Sequence, residues 1–246
     1  TATADAGLGQ EHVALPAPVH RCGGVTFARA CKKAGSHPVF GAGLWVDPRG
    51  LGHRPGSAAE AGYHLVCLVE NETGYKNICR LITDAIFDGM HYKPRVDLEG
   101  LQRHAEGLIF LTSGIRGPVR GPLAAGRKDR AEEQLATLAD CFSGEQLFVE
   151  LQDVGFSGDA EANVLCRKWA EKYGLHTVVT NAVHTLLPED AITLDLLQCI
   201  GQRYVVAGDG LLERIEVAGH EVDRGQMISA IVVKTPFFDP DGERLK

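Results

Sequence analysis

Several familiar signatures are missing from this chain of 246 residues, and each absence removes a class of function. No G-x-G-x-x-G or P-loop pattern follows the first strand-like segment, so the common nucleotide-binding sheets lose support. No Gly-x-Ser-x-Gly elbow is present and Ser113 has no evident base, so a serine hydrolase reading fails. Cys22, Cys31, Cys67, Cys79, Cys141, Cys166 and Cys199 are scattered and form no C-x-x-C pair. That pattern opposes a zinc knuckle and fits buried free thiols in a reducing cytoplasm. No apolar run approaches the length of a membrane span. The opening "TATADAGLGQEH" has neither the basic start nor the apolar core of a signal peptide. It also has no initiator Met, and we expect a cytoplasmic fragment. A net charge of −7 leaves little non-specific attraction for phosphate backbones. The one basic cluster, Arg116, Arg120, Arg127, Lys128 and Arg130, reads as a solvated loop and helix start.

What is present is an alternation of strands and helices. "HVAL" (residues 12–15) reads as a short strand and "VTFARACKKAG" (25–35) as a helix stopped by Gly35. "PVFGAGLWV" (38–46) and "YHLVCLV" (63–69) read as strands, joined by a Gly- and Pro-rich loop over 47–62. Asn71 can cap the next helix, which places Tyr75, Ile78, Cys79, Ile82 and Ile86 on one face. "GLIFLTS" (107–113), "QLFVELQ" (146–152) and "TVVT" (177–180) read as further strands. Helices fill 131–142, 160–173 and about 188–200, the last started by Pro188. Repeated strand–helix units predict a parallel sheet, and we expect it to close into a barrel. The style changes after Gly201, where "RYVVAG" and "QMISAIVVKTPFF" read as antiparallel strands. We therefore expect an α/β domain over 1–201 and a short, mostly-β C-terminal tail over 202–246.

Four segments together resemble one family, the PHP domain of the bacterial DNA polymerase III alpha subunit. They are "RACKKAGSHPVFGAG" (29–43), the run from Tyr63 to Gly114 through "NETGYKN", "FVELQDVG" (148–155) and "VVTNAVHTLLPEDAITLDLLQCI" (178–200). The resemblance covers about residues 13–200 and implies a distorted PHP-type (β/α) barrel. In active members it implies a metal cluster at the strand ends whose bound hydroxide hydrolyses phosphate esters.

The cluster's positions are mostly changed here. The family's opening His-x-His strand has no counterpart, so we expect a barrel lacking its first strand. Where the family has Thr-Asp-His-Gly, this chain reads "LPAPVHRCGG" (15–24), with His20 out of register. The family's glutamate after Gly-Cys is Gly43, its Ser-Gly-Cys is Ser113-Gly114-Ile115, and its Gln-Asp-His-Gly is Gln152-Asp153-Val154-Gly155. Its Asn-Asp-x-His reads Asn181-Ala182-Val183-His184. His184 and His64 remain as vestiges of the metal site, and Gly, Ile, Val and Ala offer a metal no lone pair. We expect no cofactor, with a divalent Zn, Mn or Mg bound only if the remnant site still functions. Glu150 and Asp153 are three apart in a strand and face opposite ways, so they form no acid–base pair.

The resemblance implies a metal-free scaffold or docking module in DNA replication or repair. Its partners would be replisome subunits, or DNA through a parent polymerase, with no membrane. The polymerase and nucleotidyltransferase chemistry belongs to palm carboxylates beyond this chain, so enzyme status is left open. Loss of a strand would expose sheet edges and favour self-association. Two alternatives stand beside this reading. One is a metal-dependent phosphoesterase rebuilt from His20, His64, Asp153 and His184. The other is a regulatory interaction protein that uses the edge of its C-terminal strands; that tail also weakly resembles sensory PAS domains.

Overall fold

The computed structural model describes residues 12–18, 23–57, 60–155 and 157–181, together with residue 193 and the pairs 216–217 and 220–221. The main sheet is mixed and curled. Its strands are β1 (His12–Pro18), β2 (His37–Val46), β3 (Tyr63–Val69), β4 (Arg95–Val96), β5 (Leu108–Leu111), β6 (Leu147–Leu151) and β7 (His176–Val179). They lie in the order β1-β2-β3-β5-β6-β7, with β4 beside β2. β1 is longer than the expected short strand. Its Pro16 and Pro18 carry no amide proton, which suits the edge position β1 holds among the described residues.

The sheet is not all parallel as expected. β3 runs antiparallel to both β2 and β5, whereas β1 pairs with β2, and β5, β6 and β7 pair in turn, in parallel. The reason is the connection. The described residues of the loop 47–62 contain no α-helix to carry the chain back over the sheet, so β3 returns directly beside β2.

Helices α1 (Gly24–Ala34), α2 (Glu72–Phe87), α3 (Leu98–Arg103), α4 (Arg120–Ala124), α5 (Lys128–Cys141) and α6 (Asp159–Lys172) complete the unit. Gly35 ends α1 in the left-handed region at φ 80° and returns its amide to the last turn. Asn71 caps α2 as expected and accepts a hydrogen bond from the Gly74 amide at 3.0 Å. The buried face of α2 differs from the one predicted. Asn77, Ile78, Leu81, Ile82 and Ala85 face inward, while Tyr75 and Ile86 are exposed. The first turn fixes this rotation. A Cβ on Gly74 would strike the Gly107 carbonyl, so only glycine lets the helix lie that close to the start of β5.

Two apolar layers follow from the alternation of the strands. Leu65 and Cys67 of β3 join Leu44, Phe110 and Val149 in the main core, under Ile78 and Leu81 of α2, Leu135 and Leu138 of α5, and Trp169 of α6. The intervening residues face the concave side, where Val66, Leu68, Leu111, Phe148 and Val178 form a smaller cluster. Five of the cysteines lie in the described residues, as thiols outside any disulfide. In the tail, β8 (Glu216–Val217) and β9 (His220–Glu221) form an antiparallel pair. The strands expected at "RYVVAG" and "QMISAIVVKTPFF", the helix at 188–200 and the boundary near 202 lie outside the described residues.

Candidate functional site

The registers bring the C-terminal ends of β2, β5, β6 and β7 to one rim, together with the N-terminal end of β3. The polar side chains next to the concave apolar cluster gather there. Such a rim is where barrel enzymes assemble their sites.

His64 sits at its centre, opposite Trp45 in the β2–β3 register. The two rings meet edge-on with centroids 5.4 Å apart. His64 Nδ1 shares a hydrogen bond of 2.9 Å with Ser113 Oγ. Ser113 lies just past β5 with φ 62°, a left-handed conformation that turns the chain out of the strand. Beyond the other side of the imidazole lies Gly43. A Cβ built on Gly43 would collide with His64 Nε2, so the ring occupies space that any side chain at 43 would need. The His64 ring thus fills the space beside β2 at position 43.

Burial lowers the His64 pKa to about 4, with further lowering from the nearby Arg116 and Lys93. Ser113 therefore does have a histidine partner, contrary to the expectation from sequence. With its lowered pKa that partner is a weak base at neutral pH, and the bond ties the start of β3 to the end of β5.

Next along the rim, Glu150 is buried at 4% exposure. Its Oε1 accepts a hydrogen bond of 2.6 Å from Thr180 Oγ1, and Oε2 has no hydrogen-bond partner. Gln152 Nε2 donates to the same Thr180 oxygen at 3.0 Å. Burial pushes the Glu150 carboxyl up, an effect only partly offset by Thr180 and by the charge of Arg120. The folded state thus binds more protons than the unfolded chain between the two pKa values. This contribution to stability is full below the unfolded pKa and is lost as pH rises through the folded one. Glu150→Gln should therefore be more stable than the parent at pH 8 by roughly 1–3 kcal/mol. The gap should close toward pH 4, as urea titrations across pH would show, and a gap independent of pH would contradict it. Asp153 points away and is exposed, and its carboxylate accepts from the Gly155 amide at 3.4 Å.

A second polar centre stands just past the end of β2. Asp47 and Arg95 have no exposed side-chain surface and pair at 2.8 Å. Asp47 also accepts from Arg49 Nε at 2.9 Å and lies 3.1 Å from His53 Nδ1. Burial alone would raise this carboxyl, but hydrogen bonds from Arg49 and His53 outweigh it and hold the pKa below its usual value. Sequence reading missed this centre. The basic cluster also needs correction at one member. Arg120 is buried, pairs with Asp159 and donates to Asn163 Oδ1 at 2.8 Å, because it begins a helix packed under the loop that leads into α6. Arg116, Arg127, Lys128 and Arg130 are exposed.

Among the described residues no three His, Cys, Asp or Glu side chains lie close enough to hold a metal ion. Of the expected ligand residues, His64 contacts Ser113 and Trp45, and Asp153 accepts from the Gly155 amide. His184, His20 and Ala182 lie outside the described residues. The described donors do not by themselves fit a metal cluster.

The comparisons with known proteins agree with the fold. The DNA polymerase III subunit alpha of Treponema pallidum is 38% identical over 197 residues, 80% of this chain and 17% of that protein. The subunit of Borreliella burgdorferi is 29% identical over 191 residues, 77% of this chain and 17% of that protein. That of Thermus aquaticus is 33% identical over 180 residues, 72% of this chain and 15% of that protein. This chain thus spans 17% or less of the length of these three relatives. The family model described as the PHP domain matches residues 4–154, more than half of the sequence, and the chain belongs to the PHP domain family.

Proposed function

We propose that this chain is a metal-free PHP module that serves as a scaffold or docking unit in a DNA replication or repair assembly, in the cytoplasm. One observation carries the reading: the His64 ring fills the space over Gly43 and is tied to Ser113 where the family would place a ligand side chain. Ile115, Val154 and Ala182 stand at three further ligand positions of the resemblance and offer no donor. The segments that build the core are intact beside them. The relatives' printed name, DNA polymerase III subunit alpha, supports the replication setting. Partners would be replisome subunits, or DNA through a polymerase body.

A docking role has support at the C-terminal end of α2. Phe87 at the end of α2 is 81% exposed, and Ile86 and Met90 are exposed beside it. Single exposed apolar residues are ordinary, but a run of them at one helix end marks an interaction surface. Among the described residues no helix is long and apolar enough to cross a membrane, so that surface is not part of a helical span. Phe87→Asp should abolish co-elution with a polymerase III alpha chain from which its own PHP domain has been removed. The thermal melt of the variant should be unchanged.

The phosphoesterase alternative is tested by assaying nitrophenyl phosphate hydrolysis with Zn, Mn or Mg added in turn. The expected rate is the metal-only background with every ion. Hydrolysis above background that disappears in His64→Ala would contradict the proposal.

A further inference from the structure

The rim carries two cations that no described carboxylate neutralises. Lys93 follows the α2 turn, and its ammonium lies over the Trp45 ring, 3.4 Å from the centroid. Arg116 follows Ser113-Gly114-Ile115, and its carbonyl accepts the His64 amide at 2.9 Å. Both bear electrostatically on His64, and Arg116 also bears on Lys93, so the charges converge on one place. Neither side chain is in an ion pair among the described residues. Lys93 over the half-buried Trp45 ring and the nearby Arg116 are like charges, and their repulsion is relieved when a counter-charge arrives. The residues beside them are apolar and exposed: Tyr92 at 61% and Ile115 at 44%. Tyr92 is held outward by a left-handed backbone at φ 59° and by its hydroxyl, which donates to the Gly56 carbonyl at 3.1 Å.

We propose that Lys93 and Arg116, with Tyr92 and Ile115 beside them, form a docking surface for an acidic peptide segment of a partner protein. Charge complementarity selects the occupant. Carboxylates would meet the two cations, and apolar side chains between them would cover Tyr92 and Ile115. A nucleic acid strand fits less well. It needs a longer basic track than these two cations provide.

Trp45 supplies the readout, because a ligand that draws Lys93 off the indole changes its emission. The probe is a synthetic peptide of alternating Asp or Glu with Leu or Phe, titrated into the full chain at low salt. Controls are a peptide with Ser in place of every acid and a single-stranded oligothymidylate. Saturable binding is expected for the acidic peptide alone, weakened about tenfold or more by Lys93→Gln and by Arg116→Gln. Arg127→Gln, an exposed cation outside the surface, should leave it unchanged, and thermal melts should show all three variants folded. Three results would overturn the proposal: no saturable binding, equal weakening by Arg127→Gln, or oligothymidylate binding as tightly with the same dependence on Lys93 and Arg116.

Discussion

Asp47→Ala is expected to cost about 3–5 kcal/mol, the loss typical when one partner of a buried ion pair is removed. The size comes from what stays behind. Arg95 has no exposed surface, and its guanidinium would keep only the Gly89 and His53 carbonyls, at 3.2 Å each. Its second terminal nitrogen already lacks a partner. The other contacts of Asp47 matter less, because Arg49 is 46% exposed and His53 is 30% exposed at the side chain. Arg49→Ala should therefore cost under about 1 kcal/mol. A small domain has only about 5–15 kcal/mol of stability, so Asp47→Ala leaves a marginal fold. The midpoint of urea unfolding, with the slope checked for constancy, measures both. A loss below about 1 kcal/mol for Asp47→Ala would show that the buried pair is replaced by water or by a local shift. The lowered Asp47 pKa adds a pH signature. Its contribution is present above the unfolded pKa and fades as pH falls through the lower folded one, so the gap between parent and variant should shrink in acid.

Gly43→Glu is expected to destabilise the chain by about 1–3 kcal/mol, the cost of overfilling a packed site. It would put back the carboxylate that the family resemblance places there. The new Cβ cannot coexist with the present position of His64, so the imidazole must leave Ser113. Freed from that burial, the ring should titrate well above its present pKa of about 4, and NMR of the imidazole would show the move. Metal binding should not return with it, because Ile115 and Val154 still present no donors at the rim. Pairing the change with His64→Gly should recover the lost stability. A Gly43→Glu variant that bound zinc stoichiometrically would mean that one substitution separates this rim from a working site.

Much of the fold was legible along the chain because period-2 and period-3.6 patterns are local. The strand Tyr63–Val69 and the caps at Asn71 and Gly35 stand where they were expected. Direction was not legible, since a continuous apolar run such as "YHLVCLV" reads the same in parallel and antiparallel pairing. The orientation of α2 escaped too. It depends on the close approach of Gly74 to Gly107, a tertiary contact that overrides the best helical stripe. The short helices α3 and α4 have too few turns to show a period. At the site, the loss of donor types at 43, 115 and 154 was plain from residue identity. The partnerships were not, because Ser113 lies 49 residues from His64 and Arg95 lies 48 from Asp47. Arg120 looked like one more solvated cation because its partner Asp159 is 39 positions away. His184, on which the metal question turned in the sequence, lies outside the described residues.

The central claim is that the PHP fold persists here without its metals. Its most direct test is metal content by mass spectrometry on chain purified without chelator or metal-affinity resin, with His184→Ala alongside. The account predicts far less than one metal per chain in both. One or more Zn, Mn or Mg ions per chain, lost in His184→Ala, would contradict it.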